Sequence, residues 1–222
     1  PRGRVLETVR VLRSALAGER TRFVGRTLRS AGFRLGALPA NPLRIYLAAL
    51  RERMLELAGA IGDGLIINMM PLRAMPKILT AYRRGAVEAE RDATEHEVVA
   101  RFQLAVTDGS TEANDRARNL VRFGFSGYVA TPVYNRFFQW VGHEGVAKDV
   151  LAAFERGDRA GTSAAMTDEF VDDIAIIGSV EQCREKVAAF VAAGVTTPVL
   201  APLCGSADEA RSMLAALAPG RG

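Results

Sequence analysis

Residues 41–70, NPLRIYLAALRERMLELAGAIGDGLIINMM, constrain the fold more than any other part of the chain. A short apolar run (Leu43, Ile45, Tyr46, Leu47, Ala48, Ala49) gives way to a segment with Met54, Leu55, Ala58 and Ile61 at helical spacing. Gly62, Asp63 and Gly64 break that helix, and a second apolar run follows at 65–70. The order is strand, tight turn, helix, strand. Strands that alternate with helices and are apolar on both faces belong to a parallel sheet covered by helices. Ligands of such sheets bind at the carboxyl ends of the strands. The residues following Leu47 and Ile67 are therefore the first candidates for chemistry.

The same alternation extends along the chain. Val5, Val9, Leu12 and Leu16 step by four, three and four, which predicts an amphipathic helix over 3–17 ended by Gly18. Residues 22–38 carry Gly25, Gly32 and Gly36 and read as a loop or short hairpin. Pro71 opens a helical stretch reaching about residue 90, and residues 97–106 form a third strand. Ser110 is placed to cap a helix over 111–123. Residues 124–172, including TPVYNRFFQWVG, read as a helical insertion or lid, because excursions of that length between barrel elements tend to wall a site. DIAII at 173–177 leads into a helix with Val180, Cys183, Val187, Phe190 and Val191 on one face, ended by Gly194. A fourth strand at 196–200 and a last helix capped by Ser206 complete the α/β pattern. Four such strands fit half of an eight-stranded barrel or a small open sheet, and periodicity does not choose between them.

A hydrophobic fraction of 49% is ample for a buried core, and 222 residues fit one large domain or two small ones. No apolar run approaches the roughly 18 residues needed to span a bilayer, and no apolar segment of signal-peptide type follows the basic amino terminus. A cytoplasmic protein is expected. The sequence starts at Pro1, as expected if a leader has been removed or the chain begins part-way through a longer protein. The net charge of +4 is concentrated in arginines of residues 1–53. That bias suits an anionic ligand, although a solvated helix face is the commoner fate of such runs. Without interleaved aromatics, nucleic acid is not the expected partner. Cys183 and Cys204 lack metal-ligand spacing, and His96 and His143 are the only histidines, so no metal site is expected.

Several residues are candidates on their own chemistry. Ala48, Ala49, Leu50, Arg51 and Glu52 lie where a strand ends and a helix starts. Small side chains there let a ligand approach the backbone, and free N–H groups face a phosphate; alternatively the alanines serve only a tight turn. Asn68 and Met69 end the next strand, as cofactor and substrate contacts respectively, with a turn cap as the competing role for Asn68. Asp63 precedes that strand, on the rim where residues serve stability. Arg101 and Gln103 share one strand face. Tyr134 and Phe138, among the aromatics Tyr128, Phe137 and Trp140, are candidates to wall a substrate pocket, although aromatics at such spacing are more often core. His143 and Glu144 are adjacent in sequence and need not meet in space.

The stretch IYLAALRERMLELAGAIGDGLIINMM resembles the middle of the bacterial luciferase-like flavin monooxygenase superfamily, in the branch that uses the deazaflavin coenzyme F420. Arg10-Val11-Leu12-Arg13 with Gly18-Glu19, Gly25 and Phe33 resembles the segment upstream of it. Ile177-Gly178-Ser179-Val180-Glu181 with Ala193-Gly194-Val195 resembles the family's carboxyl-terminal segment. The resemblance implies a (β/α)8 TIM barrel, of which this chain would hold roughly strands 5 to 8 with their helices, residues 1–222 forming a single domain. It also implies coenzyme F420, with FMN as the alternative, and hydride exchange with a small organic substrate by an oxidoreductase that forms a homodimer. Ala48 to Glu52 would face the cofactor phosphate, although Leu50-Arg51 stands where relatives often carry glycine. The family's proton-handling residues lie in its first four strands, which have no counterpart here, so the resemblance assigns no catalytic acid or base. The competing expectation is a non-catalytic half-barrel that assembles with itself or a partner.

Overall fold

The computed structural model describes residues 2–218. The chain divides into two compact units, one of Pro1–Ile66 with Ile78–Glu97, the other of Ile67–Lys77 with Val98–Gly222.

In the first unit, helix α1 (Arg2–Leu16) leads into an antiparallel hairpin of β1 (Thr21–Val24) and β2 (Arg29–Phe33), and Gly18 turns the chain at φ 80°. Leu12 of the α1 stripe is 44% exposed whereas Val9 is buried, so the stripe is only partly covered. Strand β3 (Tyr46–Ala48), helix α2 (Glu52–Ile61) and strand β4 (Gly64–Asn68) follow, with β3 parallel to β4 from Tyr46 opposite Gly64 to Ala48 opposite Ile66. The strand expected to start at Leu43 begins only at Tyr46. Asp63 accounts for this: its carboxylate accepts from Ile45 N at 2.9 Å and its own N–H donates to Ile45 O at 2.8 Å. Arg13 (2.7 Å) and Arg91 (3.0 Å) converge on the same carboxylate. Helix α3 (Met75–Glu88) packs on α2 through two glycines, since a Cβ on Gly59 would lie 2.0 Å from Tyr82 O and one on Gly85 only 1.9 Å from Glu56 O. The helix expected from Pro71 starts later. Met69 sits at φ 54° and Pro71 is extended at ψ 143°, so only a 3₁₀ turn at Leu72–Ala74 precedes α3.

In the second unit, strand β5 (Glu97–Val106) pairs in parallel with β7 (Thr197–Pro202) along Val99–Leu104 and with β6 (Ala175–Gly178) along Gln103–Val106. Val98, Ala100, Phe102 and Leu104 form its buried face, where Phe102 meets Phe190 of helix α9 (Val180–Ala192) at 4.5 Å between ring centroids. Helix α4 runs over Thr111–Ala130, beyond the expected end at 123, capped by Ser110 as expected. Gly124 and Gly127 weaken a helix without breaking it, and the stop comes at Thr131, extended before Pro132. Helices α5 (Pro132–Trp140), α6 (Glu144–Glu155), α7 (Arg159–Ala164) and α8 (Asp168–Ile174) fill the stretch up to β6, the strand that DIAII only partly supplies. Ser206 caps α10 (Ala207–Leu217), accepting from Glu209 N as the sequence predicts. Among the described residues, no helix is long and apolar enough to cross a membrane, and no cluster of three or more His, Cys, Asp or Glu side chains could hold a metal ion.

Candidate functional site

The first unit holds the turn after β3. Ala49 N donates to Ile66 O at 3.2 Å, which continues the parallel pairing and buries Ala49, while Ala48 stays exposed and Leu50 half-buried. Arg51 is the N-cap of α2, extended at φ −125°, and its side chain caps nothing. The first N–H groups of α2 are thus left with no side-chain cap, at the positive end of the helix dipole. Arg51 is exposed and makes no ion pair among the described residues. Glu52 does: its carboxylate meets the Arg84 guanidinium at 2.7 Å, and Glu56 joins the same guanidinium. A free guanidinium beside free backbone donors suits an oxyanion.

The second unit holds the residues that end β4. Asn68 donates from Nδ2 to the Tyr134 hydroxyl at 3.1 Å across a separation of 66 residues. Tyr134 stacks on Phe138 with ring centroids 6.1 Å apart and presents its edge to Tyr128 at 6.0 Å. Phe138 packs edge-on against Phe170 at 4.8 Å, so the aromatic wall continues into the core. Three of the sequence candidates, Asn68, Tyr134 and Phe138, therefore meet. Met69 follows directly, but its side chain is fully buried and its backbone is left-handed. For a residue with a side chain that conformation costs on the order of 1–3 kcal/mol, a strain that tends to persist at ligand sites. The Oδ1 of Asn68 is buried with no hydrogen-bond partner. Leaving such an acceptor unmet costs about 1–3 kcal/mol, and a bound N–H or O–H donor would recover it.

Behind the wall lies a constellation that sequence reasoning missed. Arg73, on the 3₁₀ turn after β4, pairs with Asp173 at the end of α8, and its Nη2 lies 2.8 Å from Nε2 of His143. The same Nε2 lies 2.9 Å from Asp173 Oδ2. Burial, then the Arg73 charge, push the His143 pKa down to about 4, so its imidazole is neutral at physiological pH. The Arg73 guanidinium can only donate, and Asp173 accepts from it. His143 also sits edge-on to Phe170 at 4.8 Å. This trio ties the segment after Asn68 to the α5–α6 turn and to α8. Glu144, its sequence neighbour, instead pairs with Lys148 at 2.7 Å on the surface. The only local signal for Arg73 was its place just beyond a strand end.

On β5, Arg101 is exposed, and Gln103 is 2% exposed with its Nε2 lacking a partner. Trp140 is engaged elsewhere, its ring lying 4.3 Å below Lys77 Nζ.

Parallel strands alternating with helices, with polar and aromatic side chains gathered where one strand ends, define an α/β protein. The chain belongs to the luciferase-like monooxygenase family, whose model matches residues 1–197. It is 27% identical over 199 residues to 5,10-methylenetetrahydromethanopterin reductase of Archaeoglobus fulgidus, covering 90% of this chain and 60% of that protein. It is also 27% identical to a putative coenzyme F420-dependent oxidoreductase of Mycobacterium tuberculosis, covering 91% of this chain and 58% of the relative. In fold it is similar to the coenzyme F420-dependent tetrahydromethanopterin reductase of Methanopyrus kandleri, with a TM-score of 0.76 at 19% identity over 96% of this chain and 61% of that one. The chain thus spans about three fifths of the length of these relatives.

Proposed function

We propose that this chain is the cofactor- and substrate-holding part of an oxidoreductase that uses coenzyme F420, with FMN as the alternative, on a small organic substrate. In this reading β3, β4, β5 and β7 correspond to strands 5 to 8 of a (β/α)8 barrel, and residues 124–172 serve as its helical wall or lid. The observation that carries the reading is the strand-end meeting of Asn68 and Tyr134, with an acceptor left unmet beside an aromatic wall. A flat heteroaromatic ring bearing an N–H suits that combination. The free helix start at Arg51 suits the cofactor phosphate, and Ala48 before it is exposed. When bound, such a cofactor accepts or delivers hydride; the chain's part is to orient it and exclude water. Relatives named for coenzyme F420 support the first choice of cofactor.

Titration with coenzyme F420 and with FMN, followed by fluorescence and absorbance, tests this reading. Saturable binding that Arg51→Ala weakens about tenfold, as expected for one charge-assisted phosphate contact, supports it. A chain that binds neither cofactor sinks it.

A second reading draws on the first unit. There β3 pairs with β4, while Val5, Leu12, Ile45 and Leu47 line an open hollow beside β3 and Leu43 is 58% exposed. Such a surface suits a further copy of the chain, as in a homodimer, or a partner. Size-exclusion chromatography separates the two: a colourless dimer without cofactor favours assembly alone, a monomer with bound chromophore excludes it.

A further inference from the structure

The second face of β5 carries Val99, Arg101, Gln103 and Ala105, of which Gln103 and Ala105 are buried and Arg101 is exposed. Two of these are chemically unspent. Arg101 is exposed with no carboxylate partner among the described residues, and Gln103, 2% exposed, holds an Nε2 donor without an acceptor. Side chains two apart on a strand leave the same face with Cα atoms about 6.6 Å apart. A long guanidinium and an amide at that spacing can donate to one planar oxyanion. The neighbours in register are small or apolar. Gln103 stands opposite Ala175 of β6 and Ala201 of β7, and Arg101 stands opposite Val199, which is 41% exposed. None of them supplies a negative charge that would satisfy Arg101 from within the sheet.

We propose that Arg101 and Gln103 form a binding site for the carboxylate or phosphate group of a small organic anion. Arg101 supplies the charge and the outer donor, and Gln103 supplies a buried donor that is met only when the anion is bound. Gln103 is covered in this structure, so the anion meets its amide only once the groups above it move aside. The group could belong to a separate carboxylate ligand or to the acidic tail of a coenzyme, and the chemistry recognised is the same.

The test is a titration of the isotope-labelled chain at low salt with inorganic phosphate and, separately, with succinate. It follows the Gln103 side-chain amide and the Arg101 Nε–H by NMR, with affinities from calorimetry. The expected result is that both signals move together and saturate, and that Arg101→Met and Gln103→Leu each weaken binding at least tenfold while remaining folded. Comparison of intact coenzyme F420 with its tail-free deazaflavin nucleoside separates the sources. A penalty from Arg101→Met for the intact coenzyme alone assigns the anion to the tail, and a penalty for succinate without one for either coenzyme form assigns it to a separate ligand. Signals that stay still, or affinities unchanged in both variants, overturn the proposal. So does a dimer that Arg101→Glu dissociates, which would give the face to a second copy. The outcome is independent of the oxidoreductase reading: anion binding without F420 or FMN binding sinks that reading and leaves this site standing, and the reverse result does the opposite.

Discussion

The Asn68 side-chain amide donates to the Tyr134 hydroxyl at 3.1 Å, and this single bond joins the end of a strand to a helix 66 residues later. Its other half is unbalanced, because Asn68 Oδ1 is buried without a partner. The two residues therefore respond differently to removal of their polar groups. Tyr134→Phe strands the amide donor as well and costs about 1 kcal/mol. Asn68→Leu removes the orphan acceptor together with the donor, leaving a half-buried hydroxyl, and is near neutral or stabilising. Urea denaturation of the two variants gives the order; a less stable Asn68→Leu would show that Oδ1 is satisfied in solution.

His143 makes the second unit acid-sensitive. Burial first, and the Arg73 charge second, hold its pKa at about 4 against an ordinary 6.5. The folded state thus prefers the neutral imidazole, and the unfolded chain binds the extra proton between those values. The stabilisation is complete above pH 6.5 and is lost as pH falls from 6.5 towards 4. It amounts to at most about 3 kcal/mol. Chemical denaturation at a series of pH values should show this decline in the wild type and a flatter profile in His143→Gln. Equal slopes would place the acid sensitivity in other groups.

What was legible in the sequence was what repeats locally. The four-three-four steps of Val5, Val9, Leu12 and Leu16 announced α1, and Ser110 and Ser206 announced the starts of α4 and α10. Asn68, Tyr134 and Phe138 were legible as candidates because a polar residue ending an apolar run and an aromatic cluster are themselves sequence features. Their meeting was not, since no local pattern encodes a contact across 66 residues. The Arg73–Asp173 pair, 100 residues apart, left no trace for the same reason. The strand expected from Leu43 starts three residues later because hydrophobicity does not register a carboxylate taking the Ile45 N–H. The expected stop of α4 near residue 123 gave glycine too much weight against the stronger break before Pro132.

Asp63 is a second source of pH dependence, of the usual carboxylate kind. Partial burial pushes its pKa up, but hydrogen bonds from Arg13, Ile45 N and Arg91 and the Arg13 charge outweigh that and hold it below 3.8. Its contribution is present above pH 3.8 and is lost as pH falls through the lower folded value. Asp63→Ala frees two guanidinium groups and the Ile45 N–H, at a cost of about 2–3 kcal/mol. Asp63→Asn keeps an acceptor for Ile45 and costs less. Thermal denaturation at pH 7 ranks the two variants, and an alanine variant as stable as the wild type would remove Asp63 from the structural role assigned to it.

The contact between α2 and α3 gives the sharpest prediction because two effects of known sign oppose each other. Replacing a mid-helix glycine by alanine ordinarily stabilises by about 1 kcal/mol, through backbone entropy. That gain is available at Gly124 and Gly127 of α4, where an added Cβ meets nothing within 4 Å. At Gly85 the same Cβ would lie 1.9 Å from Glu56 O, and at Gly59 it would lie 2.0 Å from Tyr82 O and 2.9 Å from Ala86 N. These neighbours are backbone atoms and cannot rotate away, so the helices must separate and uncover Leu55, Ala58 and Tyr82, all now buried. Overpacking of this kind costs about 3 kcal/mol or more. Sterics therefore win at Gly59 and Gly85, and entropy wins at Gly124 and Gly127. Paired urea melts of Gly85→Ala and Gly124→Ala should shift in opposite directions, and a stable Gly85→Ala would mean that α2 and α3 pack less closely in solution.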